Sequence, residues 1–154
     1  MNIDTRNRII SFVLTVVIVG LAWLLYDSIV TPYEKVLEQR EITEQVRHRM
    51  MVTRDALVEH QRRNNQFPET LHDLVDWLKT DERMVRYGDS LLAFRPPHIY
   101  DPDMLIISPR SGREFQYALN DTLRPNIYLL EDPDTDDAIG SLERTTLLNA
   151  TNWN

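Results

Sequence analysis

Acidic residues alternate through one stretch of this chain. Asp132-Pro133-Asp134-Thr135-Asp136-Asp137-Ala138-Ile139-Gly140-Ser141-Leu142-Glu143 puts acids at positions 1, 3, 5 and 12 of a twelve-residue window, with Ile139 at position 8. That is the ligand spacing of an EF-hand-type calcium loop. Calcium takes about six to eight oxygen ligands, and three alternating carboxylates plus a bidentate Glu supply most of them. Asp132, Asp134, Asp136 and Glu143 are therefore the candidate metal ligands. Two features oppose the assignment. Position 6 is Asp137, where the sharp turn of such a loop uses Gly, and a strand rather than a helix leads in. The competing reading is a solvated acidic turn.

No other constellation carries chemistry. His48, His60, His72 and His98 form no tight pair. His48 and His60 are twelve residues apart on one helix, about 18 Å along its axis, too far to share a metal. Asp101-Pro102-Asp103 reads as a turn rather than a carboxylate pair. Ser108 and Ser111 lack a neighbouring His and the glycine pattern of a nucleophile elbow. Four isolated glycines make no phosphate loop, and the absence of Cys leaves no thiol nucleophile, disulfide or Cys-based zinc site. The sequence supplies no catalytic residue set and no cofactor beyond the calcium candidate. A non-enzymatic role is expected.

The elements that would position these residues start with an apolar run. Ile9 to Tyr26 contains no charged residue in eighteen positions. As a helix it spans about 27 Å, close to a hydrocarbon core of about 30 Å, and Ser28, Ile29 and Val30 extend it. Trp23, Tyr26 and Tyr33 suit the interfacial aromatic belt. Arg6 and Arg8 precede the run, whereas Asp27 and Glu34 follow it. The positive-inside rule then places the N-terminus in the cytoplasm and the rest beyond the cytoplasmic membrane. The run is longer than the apolar core of a signal peptide, and Leu24-Leu25-Tyr26-Asp27-Ser28 lacks the small residues of a cleavage site. A single-pass signal anchor is the expectation.

From Glu34 to Arg63 there is no Gly or Pro, and strong helix formers dominate. Ile42, Val46, Met50, Thr53 and Leu57 step by 4, 4, 3 and 4, one narrow stripe on a helix whose remaining surface is charged. The stripe packs either on the following domain or on a partner helix. Pro32 can start or kink this helix. Asn64-Asn65-Gln66-Phe67-Pro68 ends it. Thr70, with Asp73 three residues on, caps a short helix whose inner face is Leu71, Leu74, Val75 and Leu78. Tyr87-Gly88-Asp89-Ser90 reads as a turn, and Arg95-Pro96-Pro97-His98 as extended. Met104-Leu105-Ile106-Ile107-Ser108 reads as a buried strand, Pro109 to Gly112 as a turn, and Glu114 to Leu119 as its hairpin partner. Asn126 to Leu130 is a third strand, and the segment from Leu142 a short helix or tail.

Helices first and strands later predict an α+β fold, with a long helix packed on a small antiparallel sheet. The expected organisation is a cytoplasmic tail (1–8), a transmembrane helix (9–30), a long amphipathic helix (31–63) and a small acidic α+β domain (64–154). Overall net charge is -7, and residues 64–154 carry sixteen acids against eight bases. A basic nucleic-acid footprint is absent. Expected partners are membrane lipid and other envelope proteins, the latter through the 34–63 helix.

This layout resembles the type IV pilins and the type II secretion pseudopilins. Ala56 through Leu74, with Asn64-Asn65-Gln66-Phe67-Pro68 at its centre, is similar to the pseudopilin pattern in which a helix ends in Asn-Gly-x-aromatic-Pro and a Leu-rich helix follows. Pro109-Arg110-Ser111-Gly112-Arg113-Glu114-Phe115-Gln116-Tyr117 resembles the strand-turn-strand pattern Pro-x-Gly-x-x-aromatic-x-Tyr. Asn126-Ile127-Tyr128 and the acidic loop after it resemble the last strand and calcium loop of major pseudopilins. One feature departs from the family. At the start of the apolar run, Arg8-Ile9-Ile10-Ser11-Phe12 lacks the Gly and the following Glu of a prepilin peptidase site. The resemblance implies a pilin-type domain kept as a permanent anchor in an envelope assembly. A true pseudopilin subunit and a membrane-tethered ligand-binding or enzymatic domain are the alternatives.

Overall fold

A computed structural model describes residues 3–92 and 100–153; the side chains of residues 3–5, 27 and 29–32 lie outside that description. The extended reading of 95–98 falls outside it too. The element order is α1 (Ile3–Asn64), α2 (Leu71–Thr80), α3 (Glu82–Leu91), α4 (Pro102–Leu105), β1 (Gln116–Asn120), β2 (Ile127–Glu131), β3 (Ala138–Gly140) and a 3-10 turn at Thr145–Leu147. The chain divides into two compact units, Met1–Glu41 and Ile42–Asn154. The fold is α+β, with an apolar N-terminal helix continuing into a long helix and a three-stranded antiparallel sheet.

Within the first unit α1 shows the pattern expected of a helix built for an apolar medium. Arg6–Tyr26 is one helix long and apolar enough to cross a membrane, with none of it buried in the fold. Phe12, Trp23 and Tyr26 are about as exposed as side chains on an isolated helix. Thr15 returns its hydroxyl to the Ser11 carbonyl at 2.9 Å, which removes an unpaired donor from an apolar surface. The helical backbone passes through Pro32, where the sequence permitted a break.

The second unit is organised by the stripe on α1. Val46, Met50, Thr53 and Leu57 are fully buried, and Ile42 packs against the same core. The stripe is wider than the sequence spacing suggested, because Val52, Ala56 and His60 are buried as well. Asn65, in the left-handed region at φ 59°, ends α1, a role that Asn fills because its short polar side chain tolerates that backbone. In α2 the predicted cap is present in full. The Asp73 N–H donates to Thr70 Oγ1 at 3.1 Å, and the Thr70 N–H donates to the Asp73 carboxylate at 3.0 Å. Leu71, Leu74, Val75 and Leu78 face inward.

Two local expectations are corrected. Tyr87 to Ser90 is not a turn; it lies within α3, which Asp81 caps by accepting from the Arg83 and Met84 N–H groups. Gly88 is there for packing, since a Cβ at that position would meet the Tyr100 ring at 2.6 Å. Met104 to Ser108 is not a strand. Asp101 accepts from the Asp103 N–H at 3.0 Å, and Pro102 occupies the first turn of α4, a start that fixes helical φ. Only Ile107 remains extended, in a single bridge to Glu114.

The sheet order is β1-β2-β3, with Tyr117 opposite Leu130 and Leu119 opposite Tyr128 in one ladder, and Leu130 opposite Ile139 in the next. These five residues share the face turned to the helices. The Tyr128 ring lies 5.0 Å from Phe67 and 6.1 Å from Tyr117. The C-terminal segment is not loose. Thr151 bridges Ile139, and the Gly140 N–H donates to the Ala150 carbonyl at 2.9 Å.

Adjacent methionines give a sharp test of this packing. Met50 is fully buried and Met51 is exposed. Met50→Glu should destabilise the fold by about 2–4 kcal/mol, the scale for a charge forced into an apolar core. Met51→Glu should shift it by less than about 0.5 kcal/mol. Chemical denaturation of the two variants in the same detergent reads the difference.

Candidate functional site

The acidic loop lies where β2 hands over to β3, and its carboxylates go to three different places. Asp132 is buried, and Thr135 donates its hydroxyl to Asp132 Oδ2 at 2.9 Å, while the Asp132 N–H closes the loop onto the Asp137 carbonyl at 3.0 Å. Asp132 Oδ1 is buried with no partner. Asp134 turns the other way, to the Ser111 hydroxyl and the Arg113 guanidinium. Those two donors hold its carboxyl below the usual carboxylate range, Ser111 first and Arg113 second. Asp136 is exposed and contributes its backbone carbonyl to the Asn152 amide.

Asp137 is the residue that replaces Gly in the calcium-loop register, and it has its own partner. Arg47, ninety residues earlier on α1, donates from Nε at 2.8 Å and from Nη2 at 2.9 Å, one to each carboxylate oxygen. This two-pronged pair is the geometry a planar guanidinium makes best. The Arg47 guanidinium also sits 5.3 Å from the Trp153 ring centroid, so the loop, the C-terminal segment and α1 meet on one side chain. Donating to the Asp137 carboxylate raises the Arg47 pKa further.

Glu143 stands beyond β3, on the exposed turn that follows it. The strand therefore separates Glu143 from Asp132, Asp134 and Asp136. Among the described residues no group of three or more acidic, His or Cys side chains is placed to hold a metal ion. In this arrangement Asp134 is engaged by a guanidinium, Asp132 is turned into its own loop, and Glu143 lies past a strand.

The histidines also separate. His72 lies 3.5 Å from Glu114 on the surface, and His98 falls outside the described residues. His60 is 8% exposed, with its ring edge-on to Trp77 at 5.0 Å. Its Nδ1 lies 2.9 Å from the Gln66 carbonyl, so that nitrogen carries the proton. Burial pushes the His60 pKa below its ordinary value. Asp101 and Asp103 are a cap and an ion pair with Lys79 rather than a paired-acid site. Ser108 is buried within the turn. Asn120 and Asn149 have engaged amides: Asn120 donates to the Leu142 carbonyl, and Asn149 accepts from the Tyr128 hydroxyl, both at 2.9 Å.

No protein-family model, curated protein or solved structure matches this chain. The function must be argued from the geometry alone.

Sequence reasoning found the acidic loop but missed the arginines that tie α1 to the segments around the sheet. Arg47, Arg49 and Arg110 all cross from or onto α1, with Arg49 donating to the Ile107 carbonyl and Arg110 to the Thr43 hydroxyl, each at 2.9 Å. The one local signal was Asp137, an acid where the loop pattern needs Gly.

Two measurements test this arrangement. A double-mutant cycle with Arg47→Met and Asp137→Asn should give a coupling of about 1 kcal/mol, the upper part of the range for partly exposed pairs. Acid titration tests His60. Its folded pKa lies below the unfolded one, so the unfolded chain binds the proton first. Stability is complete above about pH 6.5 and falls as pH drops through that value toward the folded pKa. His60→Gln should flatten the stability profile in that window. The loss from Asp134 comes separately, below about pH 4, and should persist in the variant.

Proposed function

We propose that this protein is a non-enzymatic, single-span anchor that presents a small pilin-like α+β domain to an envelope assembly. The observation that carries this reading is the division of labour along α1. Its residues from Arg6 to Tyr26 expose apolar surface on every side, and such a surface needs lipid or protein to cover it. From Val46 onward the same helix supplies the buried wall of a folded unit. A long helix of this kind with a small antiparallel sheet is compatible with the pilin layout that the Phe67-Pro68 and Pro109 to Tyr117 patterns resemble. The apolar run lacks the Gly and Glu of the peptidase site, which supports a retained anchor over a processed filament subunit.

Orientation follows from charge. Arg6 and Arg8 hold the N-terminus in the cytoplasm, and the domain from Ile42 onward lies in the periplasm. Asp132, Asp134 and Asp137 are occupied in holding the fold, which supports a structural or interaction role for the acidic loop over catalysis. A reporter active only outside the cytoplasm should work when fused after residue 154, and a cytoplasm-only reporter should not. Changing Arg6 and Arg8 to Glu should weaken that bias. Mass spectrometry of the membrane-extracted protein should find the residues before Ile9 retained; cleavage there would favour the processed subunit instead.

A further inference from the structure

Bases are scarce in residues 64–154, where eight stand against sixteen acids, and most of them are committed to the fold. Lys79 pairs with Asp103 and Arg113 with Asp134. Arg110 donates to the Thr43 hydroxyl, and Arg124 to the Asp121 carbonyl and the Asn126 side chain. Arg83 and Arg86 differ. Both are exposed, and among the described residues neither guanidinium makes an ion pair. They lie three residues apart on α3 and so share a face, with Tyr87 beside them, four residues on from Arg83.

That face borders a cleft of about 390 Å³ lined by Arg63, Asp81, Glu82, Arg83, Arg86 and Tyr87. Arg63 reaches it from the last turn of α1. The two acids do not cancel the three guanidiniums. Asp81 is engaged locally, accepting from the Arg83 and Met84 N–H groups at 3.0 and 3.1 Å and from Arg63 Nη1. This contact holds Arg63 at the cleft through one of its five N–H donors and leaves the other four. Of the lining acids, Glu82 alone remains to oppose Arg83 and Arg86, so the cleft keeps an excess of positive charge inside an acidic domain.

From this convergence of three guanidiniums on one cleft we infer that the cleft between the end of α1 and the start of α3 binds the phosphoryl group of a small soluble phosphate monoester. A guanidinium fork matches the oxygens of an oxyanion two at a time. A carboxylate has two oxygens, which one fork satisfies. A phosphate monoester has three terminal oxygens and close to two negative charges at neutral pH, so it has acceptors for more than one arginine. Tyr87, 55% exposed, offers the organic part of the ester an aromatic face. The surrounding acids select against a larger anion. Nucleic acid or an anionic membrane surface would meet the repelling field of the whole domain, whereas a single phosphoryl group is held at contact distance, where screening is least. The inference is independent of the anchor reading, since the cleft lies within the second unit whichever side of the membrane that unit occupies.

The test is calorimetric titration of the full chain, in neutral detergent micelles, with phenyl phosphate, inorganic phosphate and benzoate. Phenyl phosphate should bind saturably, one per chain, and benzoate at least about tenfold more weakly, since it forfeits charge-assisted hydrogen bonds. Arg83→Gln and Arg86→Gln should each weaken phenyl phosphate by about tenfold. Arg83→Lys and Arg86→Lys keep the charge but lose the fork, and should still weaken it by about threefold or more. Glu82→Gln removes the opposing charge and should tighten it by about threefold. Arg144→Gln, an exposed arginine elsewhere on the domain, should change affinity by less than about twofold. Tyr87→Leu should bring phenyl phosphate down to the level of inorganic phosphate. All the substituted residues are exposed, and unchanged melting of each variant verifies that the fold is intact. Absence of saturable binding overturns the inference. So does an Arg144→Gln loss equal to that of Arg83→Gln, which would reduce the effect to net charge, and so does benzoate binding as tightly as phenyl phosphate. Phosphatidic acid doped into the micelles should not compete; displacement of phenyl phosphate by it would overturn the soluble ester in favour of a lipid headgroup.

Discussion

A sheet of three short strands draws its stability from what covers its apolar face, because it buries little apolar surface by itself. The second unit of this protein depends on that constraint. Tyr117, Leu119, Tyr128, Leu130 and Ile139 form one face, and the buried side chains of α1 between Val46 and His60 belong to the same core. Thr53 lies in the middle of that wall. Its hydroxyl is close to two carbonyls, that of Arg49 at 3.0 Å and that of Leu105 at 2.8 Å. A β-branched polar residue at a fully buried site is tolerable because the loop leaving α4 brings an acceptor to it. A valine would match its volume and leave the Leu105 carbonyl short of a donor.

Charge does the work that size cannot. Arg47, Arg49 and Arg110 link α1 to the segments that precede and follow the strands, through Asp137, the Ile107 carbonyl and Thr43. Two of these acceptors are uncharged, so Arg49 gains a hydrogen bond but no counter-ion there, and burial lowers its pKa. Arg47 is the stronger tie, because its fork meets a carboxylate that is mostly screened from solvent. The acidic loop therefore acts as the receiving end of a cross-link to α1. That assignment explains why position 6 of the calcium-like register is Asp: the side chain is needed 90 residues away in sequence.

Much of the fold was legible because it rests on local rules. The Ile42 to Leu57 stripe, the Thr70 cap, the turn before Gly112 and the alternation of Glu114 to Leu119 are each decided within a few residues. The misreadings share a cause. Met104 to Ser108 has the composition of a buried strand, but the Asp101-Pro102 start lies just outside that run and sets a helical turn. Gly88 has the residue type of a turn, but the Tyr100 ring packed over it decides its role. The site was harder to read for the same reason. Acids at 132, 134, 136 and 143 fall at calcium-loop positions in sequence, but β3 takes up residues between Asp137 and Glu143. The spacing rule assumes a loop that stays a loop.

The acidic excess is consequently not one property but two. Asp132, Asp134 and Asp137 are drawn into hydrogen bonds that belong to the fold, and they add little to the field outside. Glu69 and Asp121 make no ion pair among the described residues and line one depression beside Leu119, whereas Glu114 stands on the surface near His72. A net count of acids over bases hides this distinction, because a carboxylate held by a guanidinium and one facing water weigh the same in the sum. The exposed carboxylates outside the fold's own hydrogen bonds set the field that reaches solvent.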